Sequence, residues 1–358
     1  SAKLRLINTF HNLKTETTKN QQGVYFDMLP VFERNKTLKK FILKRIYTAF
    51  IVVLFIVALN FFIIKLAPGD PVNIMAGLDN PSEEFKMAIR AKYNLDKPLI
   101  TQFFTYIYRL VQGDLGESYY SNQPVTSLIA ERMCASLLLS GTSAILAFVI
   151  GTLLGLAAGK KENRWQDKVL SAGTYVANAM PSFWLGMMLI FVFASHLGWL
   201  PTQGMYTLRE NYTGLARYID LGKHLILPVI TLVIVQIPGY FRITKSSVIQ
   251  VMTDDYVTTF RVTGMSEQKI FTKYVLKNAI LPVITLFGIN LAYIVAGSTL
   301  VETVFSWQGI GILMYTAISK RDYNVLMGTY LIIAVSVAVF MILVDLIYAK
   351  LDPRIHYD

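Results

Sequence analysis

Charge is scarce in this chain. Of 358 residues only 16% are Asp, Glu, Lys or Arg, against about 25% in ordinary soluble domains. Hydrophobic types make up 54% and the mean hydropathy is +0.45. That balance argues against a soluble globular enzyme, and against disorder, which requires low hydrophobicity. Cysteine is nearly absent: Cys134 stands alone, so no internal disulfide can form and redox chemistry is not expected. The four histidines, His11, His196, His224 and His356, are scattered with no His-x-x-x-His spacing, which predicts no dedicated metal site. There is no Gly-x-x-x-x-Gly-Lys-Ser/Thr and no Gly-x-Ser-x-Gly. The first absence removes a phosphate cradle, the second a nucleophile elbow.

What is present is apolar sequence in long blocks. Crossing a bilayer as helix takes about 20 apolar residues. Six blocks have that character: 46–66, 135–159, 169–196, 224–241, 279–301 and 324–348. The expected class is an all-α polytopic membrane protein with six transmembrane helices. The third block is long and interrupted by Pro181, so a kink or tilt is expected there. The first block follows a polar, basic arm (1–45), so no signal peptide is expected. Residues 67–134 are too polar to span. Asn80-Pro81-Ser82-Glu83 reads as a helix start with Asn80 as cap. Short helices are expected over 81–93 and 98–112, followed by a turn at Gly113-Asp114-Leu115-Gly116. The core is 135–350, with a loop at 242–278, and 351–358 forms a tail.

The formal net charge is +11. On a membrane chain this excess marks the cytoplasmic loops. An N-in, C-in arrangement puts 22 Lys and Arg in inner segments and 11 in outer ones. Gly151, Gly155 and Gly159 fall four apart, the spacing that lets helix backbones approach in lipid. Leu227-Pro228-Val229-Ile230-Thr231-Leu232 recurs at 281–286; this is either an internal repeat or two ordinary proline-led helix starts. Few polar residues enter the spans. Asn178, Gln236 and Asn290 either line a passage or tie helices together. Asp345 is close to Lys350 and is expected to meet a headgroup or an inter-helix partner.

The loop 242–278 is polar yet patterned as helix over Val248–Thr263 and Ser266–Asn278, broken at Gly264, with Ser266 as a plausible cap. A helix pinned on the membrane face by two spans either passes motion from a soluble partner or rests on headgroups. Its stretch Asp255-Tyr256-Val257-Thr258-Thr259-Phe260-Arg261-Val262-Thr263-Gly264, followed by Asn278-Ala279-Ile280-Leu281-Pro282, resembles the loop of ABC-importer permeases in the oligopeptide/dipeptide/nickel subfamily. Pro68-Gly69-Asp70-Pro71, Gly113-Asp114-Leu115-Gly116, Leu200-Pro201-Thr202-Gln203-Gly204, Glu302-Thr303-Val304-Phe305 with Gly309-Ile310-Gly311, and Leu351-Asp352-Pro353-Arg354 agree with it. The chain departs from the family pattern at Thr259-Phe260, where small residues are usual, and at Gln308, where Pro is usual.

The resemblance implies a type I ABC-importer permease-like fold in a bacterial or archaeal cell membrane, with both termini cytoplasmic. It implies a second permease subunit, two cytoplasmic ATPases carrying ATP and Mg, and an extracytoplasmic substrate-binding protein, with no cofactor and no enzyme activity on this chain. It carries an ATPase contact over to Asp255, Tyr256, Thr259, Phe260, Arg261 and Gly264. It gives a binding-protein contact to the outer segments, with Asp70, Asp114, Glu302, Phe305 and Trp307. The implied cargo is an oligopeptide or dipeptide, with a nickel chelate or other small solute as the alternative. A self-sufficient secondary transporter would need an ionisable group near the midplane, and an intramembrane enzyme a catalytic constellation; neither pattern is present.

Overall fold

The computed structural model describes residues 31–66, 72, 82–92, 94–208, 210 and 212–351. Residues 1–30 of the arm, Pro68-Gly69-Asp70-Pro71, Asn80-Pro81 and Asp352-Pro353-Arg354 lie outside them. Among the described residues the regular structure is helical, apart from one bridge pairing Glu117 with Pro124. The elements are α1 (Val31–Leu66), α2 (Glu83–Lys92), α3 (Leu99–Val111), α4 (Val125–Lys160), α5 (Trp165–Ala179), α6 (Ser182–His196), α7 (Leu215–Met252), α8 (Asp255–Val262), α9 (Glu267–Ala296), α10 (Thr299–Val304), α11 (Ile310–Lys320) and α12 (Tyr323–Leu351). Five of these, α4, α7, α9, α12 and the Ile42–Leu66 part of α1, are each long and apolar enough to cross a membrane. The pair α5 and α6 passes that test together.

The third block turns by 100° between α5 and α6, far more than a kink. Met180 sits before Pro181 with an extended backbone (φ −83°, ψ 126°), because the proline ring pushes its predecessor out of the helical region. Helix ends also move outward from the apolar blocks. α4 begins at Val125 rather than Ala135, and α7 runs 38 residues from Leu215. Polar residues such as Arg132 and Asp220 end an apolar block without ending a helix. α9 stops earlier than expected, at Gly297 (φ +66°), and α10 starts a new direction. The expected 248–263 helix is split at Thr253-Asp254 into the end of α7 and α8. At α2 the cap is Ser82, whose hydroxyl accepts the Phe85 N–H at 3.2 Å.

The glycine stripe does bring two helices together. A Cβ on Gly151 would lie 2.7 Å from Tyr240 Cβ, on Gly155 2.6 Å from Thr244 Cβ, and on Gly159 2.8 Å from Val248 Cβ. Both sets of numbers rise together, so α4 and α7 run parallel and end on the same side. The chain between them, including α5 and α6, must therefore return to the other side, making one net crossing. α1 and α12 are antiparallel: Arg45 pairs with Asp345 at 3.1 Å at one end, and Lys65 stands over the Tyr323 ring at the other. Asp345 thus has an inter-helix partner. α9 runs against α12, with Gly288 on Val344 and Tyr293 lining the same groove as Ile333. These pairings place the start of α1, the end of α12, the 161–164 turn and α8 on one face.

Candidate functional site

α8 projects from the face where α7 and α9 meet. Asp254 leads into it with an extended backbone (ψ 146°), and Gly264 ends the turn at φ +80° with open space around its Cα. That backbone conformation costs little in glycine and strains other residues. Val257 faces inward and is buried with Val248, Ile270, Val275 and Ala279. Ser266 occupies the cap position before Glu267 without a side-chain cap bond. The base of α8 is therefore packed onto both spans that flank it, so a push on α8 reaches α7 and α9.

The expected partner-facing residues divide. Asp255, Thr259, Arg261 and Gly264 are exposed. Arg261 is already engaged: its Nε donates to Glu267 Oε1 at 2.7 Å and an Nη to Oε2 at 3.4 Å, and Glu267 raises the Arg261 pKa further. Tyr256 and Phe260 are half-buried and turned toward the chain itself. Phe260 lies 4.3 Å from the Tyr274 ring, and the Tyr256 hydroxyl accepts from Asn278 at 3.0 Å. Phe260 thus packs partly on Tyr274 of its own chain and keeps the rest of its surface open. Sequence reasoning missed Val262, an apolar side chain 84% exposed at the tip of α8. Its signal was available: helical periodicity puts residue 262 on the opposite face from the buried Val257.

At the opposite side lies a tightly bonded knot. Glu302 is wholly buried. Its Oε1 accepts from the Ser136 hydroxyl at 2.7 Å and its Oε2 from Ile312 N–H at 3.1 Å. Ser136 in turn accepts Ile310 N–H at 2.7 Å. Trp307, also buried, donates its indole N–H to the Ala135 carbonyl at 2.9 Å. A Cβ on Gly311 would lie 2.8 Å from Glu302 Oε2, so the glycines of this segment make room for the carboxyl. Burial pushes the Glu302 pKa up, and the Ser136 hydroxyl and backbone N–H groups pull part of the way back. The 200–204 segment joins the knot where Gly204 N–H donates to the Phe305 carbonyl at 2.8 Å.

Three expected binding-protein contacts, Glu302, Phe305 and Trp307, therefore lie inside the chain; Glu302 and Trp307 hold the 302–312 segment onto α4, and the Phe305 ring lies against Gly186 of α6. Asp114 is exposed, its carboxylate accepting Gly116 N–H at 2.8 Å. Nearby, Ser118 donates to buried Asp322 at 2.5 Å and Asn324 to the Glu117 carbonyl at 2.8 Å, which latches the 113–118 turn to the start of α12. Gln308 is hydrogen-bonded to Arg132.

The polar residues within the spans separate as well. Asn290 donates to the Tyr240 hydroxyl at 2.8 Å and so ties α9 to α7. Gln236 is half-buried on α7. Asn178 is exposed and lines a cavity of about 330 Å³ between α5 and α7.

Comparison with known proteins bears on this arrangement. Residues 151–357 match the family model described as binding-protein-dependent transport system inner membrane component, and residues 38–140 match its N-terminal companion. The chain belongs to that family. It is 35% identical over 317 residues to the glutathione transport system permease protein GsiC of Salmonella typhi, covering 88% of this chain and 99% of that protein. It is 36% identical over 318 residues to the oligopeptide transport system permease protein AppB of Bacillus subtilis, with the same coverage. Among solved structures, a chain of the MetNI methionine ABC transporter in an inward-facing conformation superposes with a TM-score of 0.51 at 16% identity. That match covers 63% of this chain and 97% of the other. The fold is thus that of a type I ABC-importer permease. The protein is a multi-pass inner-membrane permease subunit of an ABC importer.

Proposed function

We propose that the chain forms one half of the membrane path of an importer for short peptides. In this reading it works with a second permease, two ATPases that carry ATP and Mg, and an extracytoplasmic binding protein, while holding no cofactor itself. The names of the peptide-transporting relatives, aligned over nearly their whole length, support the cargo class. The Lys and Arg excess supports a cytoplasmic position for the face that bears α8, the start of α1, the end of α12 and the 161–164 turn.

The observation that carries the reading is the posture of α8. An eight-residue helix is anchored through Val257 to both neighbouring spans, yet presents Val262, Asp255, Thr258 and Thr259 outward. Val262, 84% exposed at the tip of α8, would lose that apolar surface from water if a partner pocket closed over it. An ATPase that grips α8 differently with and without ATP shifts the bundle between its two openings by that difference in affinity. Val262→Asp tests this, since a side chain so exposed contributes little to the packing of the chain itself. ATP-dependent uptake and co-purification of the ATPases are expected to fall by about thirtyfold, the scale of a 2 kcal/mol interface anchor. Membrane insertion is expected to stay normal. Unchanged uptake would remove α8 from the coupling path.

A further inference from the structure

The cavity between α5 and α7 is lined by Ser171, Thr174 and Asn178 on one side and by Arg242, Lys245 and Ser246 on the other. The α5 residues recur at steps of three and four, which places them along one helix face. Tyr175, Pro238, Phe241 and Ile249 complete the lining; charged and polar side chains from two helices meeting in so apolar a chain mark a surface turned away from lipid, because intramembrane charges line bundle interiors or aqueous cavities.

The charges within it are not equivalent. Lys245 is spent: its ammonium meets Asp167 at 2.5 Å and the Ser171 hydroxyl at 3.1 Å. Asp167 also accepts Asn163 N–H at 3.1 Å and the Ser171 hydroxyl at 3.0 Å. That network is closed and carries no net charge. Arg242 takes part in none of the ion pairs found among the described residues. It is exposed to the cavity ten residues, roughly 15 Å, before the end of α7 at Met252. The cavity therefore offers one positive charge, on a group whose planar fork fits a carboxylate through two parallel hydrogen bonds, flanked by the amide and hydroxyls of Asn178 and Ser246.

We propose that this cavity binds the terminal carboxylate of the transported peptide, with Arg242 as its counter-ion. The inference rests on the peptide-import reading and deepens it. A terminal carboxylate is the one anionic group that unblocked peptides share whatever their side chains, so a site built for it accepts varied sequences.

The test uses whole cells that express the complete importer and lack other peptide uptake. Radiolabelled trialanine is compared with its C-terminal amide. The quantity read is the acid-to-amide uptake ratio of a variant divided by that of the wild type, from which any preference of the shared binding protein cancels. Arg242→Gln is expected to lower it roughly tenfold, equivalent to about 1.4 kcal/mol, and Arg242→Lys, which keeps the charge but not the planar fork, to restore only part of it. Ser246→Glu, which leaves Arg242 in place but sets a tethered carboxylate one helical turn away, is expected to lower it as well. This second variant decides the matter should Arg242→Gln fail to assemble. A ratio near one for both Arg242→Gln and Ser246→Glu overturns the carboxylate site. So does loss of a co-purifying anionic phospholipid from Arg242→Gln with the ratio unchanged, which would make the cavity a headgroup site. A wild-type importer that moves neither peptide overturns the peptide-import reading, and this inference with it.

Discussion

The close approach of α4 to α7 gives a sharp stability prediction. A methyl group at position 155 would sit 2.6 Å from Thr244 Cβ and 2.7 Å from the Phe241 carbonyl oxygen. Carbon atoms rest at about 3.5–4.0 Å, so Gly155→Ala obliges α4 and α7 to part by roughly 1 Å. The Phe241 oxygen is main chain and cannot turn aside. Overpacking of this kind costs about 1–3 kcal/mol. The same substitution at Gly141, on the same helix, meets nothing within 4 Å and gains up to about 1 kcal/mol of helix propensity. The two variants should therefore differ by about 2–4 kcal/mol. Heating each in mild detergent and measuring the monodisperse fraction left at each temperature reads that order directly. Gly155→Ala should lose its folded fraction well below wild type, and Gly141→Ala at or above it. Thr244→Gly should rescue Gly155→Ala only in part, since the carbonyl contact remains. If Gly155→Ala tolerates heat as well as Gly141→Ala, the glycine stripe is not what sets the spacing of α4 and α7.

Two further outcomes follow from buried charge. Because the Glu302 pKa is raised by burial, its contribution to stability is full below the ordinary carboxylate pKa and is lost as pH climbs through the raised one. Thermal melts across that window should show wild type losing ground to Glu302→Gln as pH rises; parallel curves would mean the carboxyl titrates normally. Asp167→Asn strands Lys245 without its counter-charge. The expected cost is about 2 kcal/mol, less than for a fully buried pair because Lys245 keeps contact with water. Adding Lys245→Met should recover part of it, and a double-mutant cycle with no coupling would show the pair to be idle.

The membrane class, the crossings and the contact made by the glycine stripe were legible in the chain, because apolar run length and small-residue spacing act locally. The helical character of 255–262 was legible too, though not its separation from α7 at Thr253-Asp254. Helix ends were not, since a helix persists into water where an apolar block stops, as α4 and α7 do. The sharp bend at Pro181 was visible only as an interruption; its 100° depends on how α5 and α6 dock elsewhere.

The candidate site divides along the same line. Asp255, Thr259 and Gly264 are exposed on or beside α8. Glu302, Phe305 and Trp307 turned inward and Phe260 partly so, because each found a partner elsewhere in the chain: Tyr274 for Phe260, Ser136 and Ala135 of α4 for Glu302 and Trp307, and Gly186 of α6 for Phe305. Arg242 was one basic residue among six in an inner loop until Asp167 claimed Lys245 and left the neighbouring guanidinium facing a cavity. By itself the sequence determined that this is a helical membrane bundle of five to six crossings with a short helix between the fourth and fifth apolar blocks, since hydrophobic length and helical period need no distant contact. Which polar groups are spent on holding the bundle together, and which stay free to meet cargo or partner, was decided only by tertiary packing. A side chain's availability depends on what the fold brings within three ångströms of it, and neighbours in space are not written as neighbours in the chain.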